Sequence, residues 1–330
     1  MPPIYRKGGK LVGKYLQKRM VKGLITFFIT ITLTFLIVRL MPADPTTMLM
    51  DARMTEAQKN QMLADFGLDK SLIFQYFSYI KNLLQGDLGL SFMQKRPVME
   101  MILERLPWTL LLMTVTQVIT LFLGIPLGIY SGYKRGSALD HCINGVSIFG
   151  ISIFVPWLGF TLLYFFGYKM GVLPIGGAYT PGVDSGIAFV IDVAKHLILP
   201  VITLIFIYLA NYVLYTRGSV IDVLSEDYIR TARSKGMKES KVIWKHATKN
   251  AMIPTVTSAG LMLGAMVGGA VLTETVFAYP GVGRMVYQAV SQQDFPVLQG
   301  SFIILALSVI LMNIITDLLC AYLDPRIKLD

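Results

Sequence analysis

The 330-residue chain is 54% hydrophobic and only 15% charged, whereas soluble domains carry nearer about 25% charge. Its apolar residues fall in long blocks, which excludes an ordinary soluble enzyme, a disordered chain and a disulfide-stapled secreted domain. A polytopic membrane protein remains, and the net charge of +10 has to be read against topology before a nucleic-acid partner is invoked.

In chain order, residues 1–22 form a basic tail. Within it Gly8-Gly9-Lys10-Leu11-Val12-Gly13-Lys14-Tyr15 approaches a phosphate-binding loop, but Tyr15 stands where a Ser or Thr hydroxyl must hold magnesium, and no buried strand precedes it. Residues 23–40 read as a first transmembrane helix, a retained anchor because Met41-Pro42-Ala43-Asp44-Pro45 offers no small-residue cleavage site. Residues 42–106 make an extracytoplasmic loop long enough for a small cap. Thr55-Glu56 opens one helical stretch there, and Leu72 to Ile80 has an amphipathic helix pattern.

Residues 107–323 hold five further spans, Trp108 to Tyr130, Ile143 to Phe166, Leu197 to Tyr215, Ile253 to Leu272 and Phe302 to Leu323, and residues 324–330 form a C-terminal tail. The fold class is therefore all-α, a polytopic membrane protein with six transmembrane helices. Six spans put both termini on one face. That face carries the basic tail, Lys134, Arg135 and the segment 217–249 with its eight Lys and Arg residues, so the positive-inside rule makes it cytoplasmic. The basic charge is thus explained without nucleic acid.

Gly124, Gly128 and Gly132 on the second span, and Gly260, Gly264 and Gly268 on the fifth, recur every four residues and so lie along one face of each helix, where backbones can approach closely. Candidate pathway or gate groups are Asn211, Glu274 at the outer end of the fifth span and Asp317 within the sixth. For the two carboxylates a structural pairing or cap competes, because both lie near span ends. His141, His196 and His246 fall in different flanks and read as interfacial or solvated, while Cys142 and Cys320 have no metal-ligand spacing and read as reduced packing residues. No hydrolase signature occurs, so no catalytic residue and no metal site is expected.

The segment from Ser225 to His246 is the most informative. Ser225 is expected to cap a helix with Glu226 and Asp227 in its first turn and Arg233 and Lys235 in its last, and Gly236 to end it in the left-handed conformation. A second helix then restarts with Val242, Ile243 and Ala247 on one side. The result is a protruding helix-turn-helix suited to a groove in another protein.

At this point the sequence resembles the permease subunits of binding-protein-dependent ABC importers of the dipeptide/oligopeptide type, specifically the B-type member of the permease pair. The resemblance rests on Arg39 to Pro45, on Phe66-Gly67-Leu68-Asp69 through Gly86-Asp87-Leu88-Gly89-Leu90-Ser91, and on Tyr228 to Gly236. Glu274-Thr275-Val276-Phe277 with Pro280 to Arg284, and Asp324-Pro325-Arg326, complete it. It departs from the general permease motif in carrying Arg230-Thr231-Ala232 for Glu-Ala-Ala and only Met252-Ile253-Pro254 for the closing element.

The resemblance implies a type I ABC importer permease fold in a bacterial or archaeal cytoplasmic membrane, with both termini cytoplasmic. It implies a heterodimer with a second homologous permease subunit, two cytoplasmic ABC ATPase subunits that use ATP and Mg, and an extracytoplasmic solute-binding protein, all beside membrane lipid. The chain itself would bind no cofactor. By the same resemblance Glu226, Asp227, Tyr228, Arg230, Thr231, Ala232, Arg233, Lys235 and Gly236 form the ATPase-coupling segment, and the cap with the Pro280 to Arg284 turn meets the binding protein. Peptides are the expected cargo, with nickel complexes, glutathione or oligosaccharides as alternatives. A membrane-embedded enzyme using Glu274 or Asp317, or a stand-alone channel or proton-coupled transporter, is the different-class reading.

Overall fold

The structure, a computed structural model, describes residues 8–40 and 70–323. The helix expected at Thr55-Glu56 and the tail 324–330 lie outside the described residues. Helix α1 (Gly8–Leu40) is unbroken and absorbs Gly8 to Tyr15, so no strand-loop-helix cradle for phosphate exists there. The amphipathic segment forms α2 (Leu72–Leu84). Its aromatic face lies across α1, with Tyr76 and Tyr79 packed on Phe35 at ring separations of 5.2 and 5.8 Å and the Tyr76 hydroxyl 2.7 Å from Thr32 Oγ1.

The second span is α3 (Val98–Tyr133), and the fourth is α6 (Gly186–Leu224). At 36 and 39 residues and about 1.5 Å of rise each, both exceed a hydrocarbon core of about 30 Å. They project beyond the membrane and carry structure there. Between them the expected continuous third span is broken. It begins as α4 (Ala138–Ser152), turns through 100° and continues as α5 (Val155–Leu162) and wider, π-type turns over Leu163–Lys169. The reason is local: Pro156 has no N–H to donate and its ring crowds the preceding turn, and Ile153 and Phe154 adopt extended backbone instead.

After α6 comes α7 (Asp227–Ser234), then a short turn Glu239–Lys241 and π-type turns Val242–Ala247 that run without interruption into α8 (Thr248–Val276). Helices α9 (Val282–Ser291) and α10 (Phe295–Leu323) complete the chain. Among the described residues four helices are long and apolar enough to cross a membrane, and the bent α4–α5 pair makes a fifth. The expected fifth span, Ile253 to Leu272, lies within α8.

The seam between α3 and α6 organises the rest. A Cβ added at Gly124 would lie 2.7 Å from Tyr212 Cβ, one at Gly128 2.6 Å from Thr216 Cβ, and one at Gly132 2.9 Å from Val220 Cβ. Each step of four along α3 is matched by four along α6, so the two helices run parallel, and only glycine lets their backbones come this close. Gln117 crosses the same seam, donating through Nε2 to the Tyr212 hydroxyl at 2.6 Å.

Apolar clusters lie at three levels. Val98, Ile102, Val282, Met285 and Leu298 gather at one end, Leu112, Leu204, Met266 and Tyr279 in the middle, and Ile129, Val220, Ile243 and Ala251 at the end that bears α7. The glycines of α8 do not behave like those of α3. Among the described residues a Cβ at Gly264 would meet only Val309 of α10, and one at Gly268 nothing within 4 Å, so Gly268 does not pack closely within this chain. The side chain positions around Gly260 lie outside the described residues.

The two glycine rows therefore predict opposite responses. Gly128→Ala, whose Cβ would also come 2.8 Å from the Val213 carbonyl oxygen, should destabilise by about 1–3 kcal/mol through overpacking, and Gly268→Ala should leave the melting temperature of the detergent-solubilised protein unchanged or raise it. Equal responses from the two variants would refute the asymmetry.

Candidate functional site

The hairpin formed by α7 and the turns leading into α8 is amphipathic by construction. Ile229 and Ala232, three residues apart on α7, are buried against Val242 and Ala247, with Val223, Leu224 and Met237 around them. Glu226, Asp227, Tyr228, Arg230, Thr231, Arg233, Lys235 and Gly236 are left exposed on the other face. Eight of the nine expected coupling residues are thus exposed, and Ala232 is a packing residue.

Ser225 does not cap α7. Its hydroxyl bonds back to the Asp222 carbonyl at 2.6 Å, closing α6, and Glu226 occupies the cap position without a side-chain bond. Ser225 is too close to the end of α6 to serve both helices. Gly236 does take the left-handed backbone, at φ +74°. Beyond it Glu239 reaches back to Arg233, with Nη2 and Nε at 2.6 and 3.3 Å, and this paired contact raises the Arg233 pKa above its ordinary value. Tyr228 accepts a hydrogen bond from Asn250 Nδ2 at 2.7 Å. Ion pair, hydrogen bond and apolar core together make the hairpin one rigid piece with α8.

Beneath it lies a clamp that sequence patterns did not reveal. Asp140 of α4 is 1% exposed and accepts a side-on pair of bonds from Arg217 of α6, Nε at 2.7 and Nη2 at 2.8 Å. Ser131 Oγ, Gly136 N at 2.9 Å and Asn144 Nδ2 at 2.6 Å complete its shell. Three helices, α3, α4 and α6, are joined by one carboxylate. The available signal was an acid and a base at the same predicted membrane face, but nothing in their spacing paired them across 77 residues.

At the opposite end Glu274 is fully buried. It accepts from Thr109 Oγ1 at 2.7 Å and from the backbone N–H groups of Gly283 and Arg284, the latter at 2.9 Å. Thr109 Oγ1 in turn accepts the Val282 N–H at 2.8 Å. A Cβ at Gly281 would collide with the Glu274 carboxylate, so glycine there is a steric requirement of this knot.

Glu274 accordingly ties α3, α8 and α9 together. The Pro280 to Arg284 turn wraps around it with Gly281, Val282 and Gly283 buried, which corrects its expected role as a docking surface. A second buried acid, Asp294, does the same for the segment before α3, accepting from Ser91 Oγ at 2.5 Å and the Phe92 N–H at 3.0 Å. Ser91 closes the Gly86 to Ser91 string, which explains why that string carries structure.

The remaining candidates do not converge with these groups. Asn211 donates to its own helix, to the Ile207 carbonyl at 3.1 Å. Asp317 sits on α10, but its side chain lies outside the described residues. His196 is buried, with Nδ1 2.8 Å from the Asp192 carbonyl oxygen, where an interfacial or solvated ring was expected. Cys142 is exposed rather than packed.

The described residues thus make a helical protein with a braced hairpin and helix ends locked by buried acids, and they hold no convergent catalytic cluster. Residues 124–329 match the family model of the binding-protein-dependent transport system inner membrane component, and residues 12–113 match the N-terminal model of the same systems' membrane components. The chain belongs to this family, and it is a transport subunit rather than an enzyme.

Among its relatives are the oligopeptide transport system permease protein AppB of Bacillus subtilis, 38% identical with 90% of this chain and 93% of that protein covered, and the dipeptide transport system permease protein DppB of Escherichia coli K12, 37% identical with 96% and 98% covered. The glutathione transport system permease protein GsiC of Escherichia coli O6:H1 is 38% identical, with 95% and 98% covered. A chain of the inward-facing MetNI methionine ABC transporter shares the fold, with a TM-score of 0.56 at 16% identity over 68% of this chain and 97% of that one. The fold is that of a type I ABC importer permease.

The clamp predicts a non-additive cycle. Arg217→Met leaves the Asp140 carboxylate buried without its cation and should cost about 3–5 kcal/mol. Adding Asp140→Asn to that variant should recover part of the loss in thermal unfolding, whereas simple additivity of the two single changes would contradict the pairing.

Proposed function

We propose that this chain is one of two permease subunits of a peptide importer, in which closure of two ATPases is converted into alternating access of a path between the permeases. The observation that carries this is the continuity of the hairpin with α8. An exposed, charged helix is braced by a buried apolar face and an ion pair onto turns that become a membrane helix with no flexible joint. A push on α7 therefore moves α8, the rigid-body transfer that a two-state transporter needs.

The α7 face, with Glu226, Asp227, Tyr228, Arg230, Thr231, Arg233, Lys235 and Gly236, is assigned to the ATPase, where ATP and Mg act. Peptide cargo is supported by the oligopeptide and dipeptide permeases among the relatives, and glutathione, carried by another relative, is itself a small peptide. The side bearing the hairpin is assigned to the cytoplasm, with both termini there, and α2 with the segment before α3 to the side the binding protein approaches. The charge asymmetry supports this orientation.

Orientation is tested by placing single cysteines in a cysteine-free background. An impermeant thiol reagent added to intact cells should modify Lys81→Cys and Gln292→Cys, both exposed sites, and spare Lys238→Cys, also exposed. Labelling of the last from outside would invert the assignment.

Coupling is tested at Gly236. A Cβ there would meet nothing within 4 Å, so the sole penalty of Gly236→Val is its left-handed backbone, about 1–2 kcal/mol or more for a β-branched residue. The variant should insert and assemble normally, yet lose ATPase retention or hydrolyse ATP without solute uptake. Full uptake would defeat the assignment.

A further inference from the structure

A cleft between α1, α8 and α10 is used by none of these elements. Helix α1 packs along α10 here, with Gly23 against Ile310, where an added Cβ would lie 3.1 Å from Cγ2, and with Ile31, Phe35 and Val38 buried. Beside this contact an open cavity of about 620 Å³ remains toward α8, within the range of about 300–1,000 Å³ of small-ligand sites. Thr26, Thr30 and Thr34 line its α1 side and Gly264 and Gly268 its α8 side. The Thr30 and Thr34 hydroxyls donate to the Thr26 and Thr30 carbonyls at 2.9 and 2.8 Å, so the row presents methyl groups rather than unspent donors. The open space at Gly268 is part of this cleft.

The mouth of the cleft on the hairpin side is different. Arg19 and Lys22 line it. Lys10, Lys14 and Lys18 precede them at intervals of four, and α1 contains no acidic residue from Gly8 to Leu40. A deep apolar slot with a basic mouth matches a molecule with a hydrocarbon tail and an anionic head.

We propose that this cleft holds one anionic phospholipid, its acyl chain between the α1 threonine row and Gly264 and Gly268, and its phosphate against Arg19 and Lys22. The bound lipid fills what the chain leaves empty and joins α1 to the core.

The test uses the assembled transporter with its partner subunits, reconstituted in nanodiscs of equimolar, chain-matched phosphatidylglycerol and phosphatidylcholine. It is then released into mild detergent, and the lipid retained on this subunit is counted by native mass spectrometry. The wild type should retain phosphatidylglycerol over phosphatidylcholine by about tenfold, given two cations at the headgroup. Arg19→Ser with Lys22→Ser, a surface change, should erase that preference, and Gly268→Leu, which fills the slot, should reduce retention of both lipids. Equal retention of the two lipids by the wild type, or a preference that survives the paired serine variant, would overturn the proposal. So would release of the lipid by inorganic phosphate, or a neighbouring subunit's helix seated in the cleft. Because the readout is lipid retention rather than uptake, its failure is separable from failure of the coupling assignment.

Discussion

Inside a bilayer no water is available to complete a polar group's hydrogen bonds, and every such group must find its partners within the protein. That constraint shapes this chain most visibly at its carboxylates. Asp140, Glu274 and Asp294 are all buried, and each collects donors from segments distant in sequence. Where a soluble protein would leave an acid in water, this one uses it as the node at which helices are fixed to one another. The nodes sit near the ends of the long helices and leave the middle to apolar contacts and one amide–phenol bond, Gln117 to Tyr212.

This arrangement separates rigid from adjustable parts. Helices α3, α4 and α6 form one block through Asp140 and the glycine seam, and α3, α8 and α9 are tied at the other end through Glu274. Helix α8 is therefore pinned at its Glu274 end and braced to α7 at its hairpin end. Its middle, with Gly264 and Gly268 loosely surrounded, offers the least resistance to bending. Among the described residues three non-glycines hold positive φ: Ala278 and Gln293, within four residues of Glu274 and Asp294, and Lys95, two residues after Met93, whose N–H bonds Asp294. Such backbone costs about 1–3 kcal/mol per residue and persists only where the surroundings fix it.

The sequence conveyed the helical class, the position of each long apolar segment, the amphipathic α2 and the left-handed Gly236, because each depends on a local pattern of hydropathy or backbone allowance. The four-residue spacing of the α3 glycines is local too, and those residues lie against α6. The sequence did not convey that α8, with the same spacing, would border an open cleft at Gly268: the pattern says that a face is flat and leaves open what faces it. The Asp140–Arg217 clamp was equally hidden, because pairing across 77 residues depends on the tertiary arrangement. Pro156 was visible as a residue, yet only the extended backbone at Ile153 and Phe154 showed that it breaks the span rather than kinking it.

The repeat in the α3–α6 seam leaves an ambiguity that something else must resolve. Three glycines four residues apart facing Tyr212, Thr216 and Val220, also four apart, would still mesh in two places if one helix slipped by a full turn, about 6 Å at 1.5 Å per residue. The seam alone is a ruler with identical marks. Arg217 faces one acid and has no equivalent a turn away, since Val213 and Ile221 can make no such bidentate pair. The clamp is thus the vernier that selects one alignment, and a chain lacking it would retain its helices while losing the means to count them off against each other.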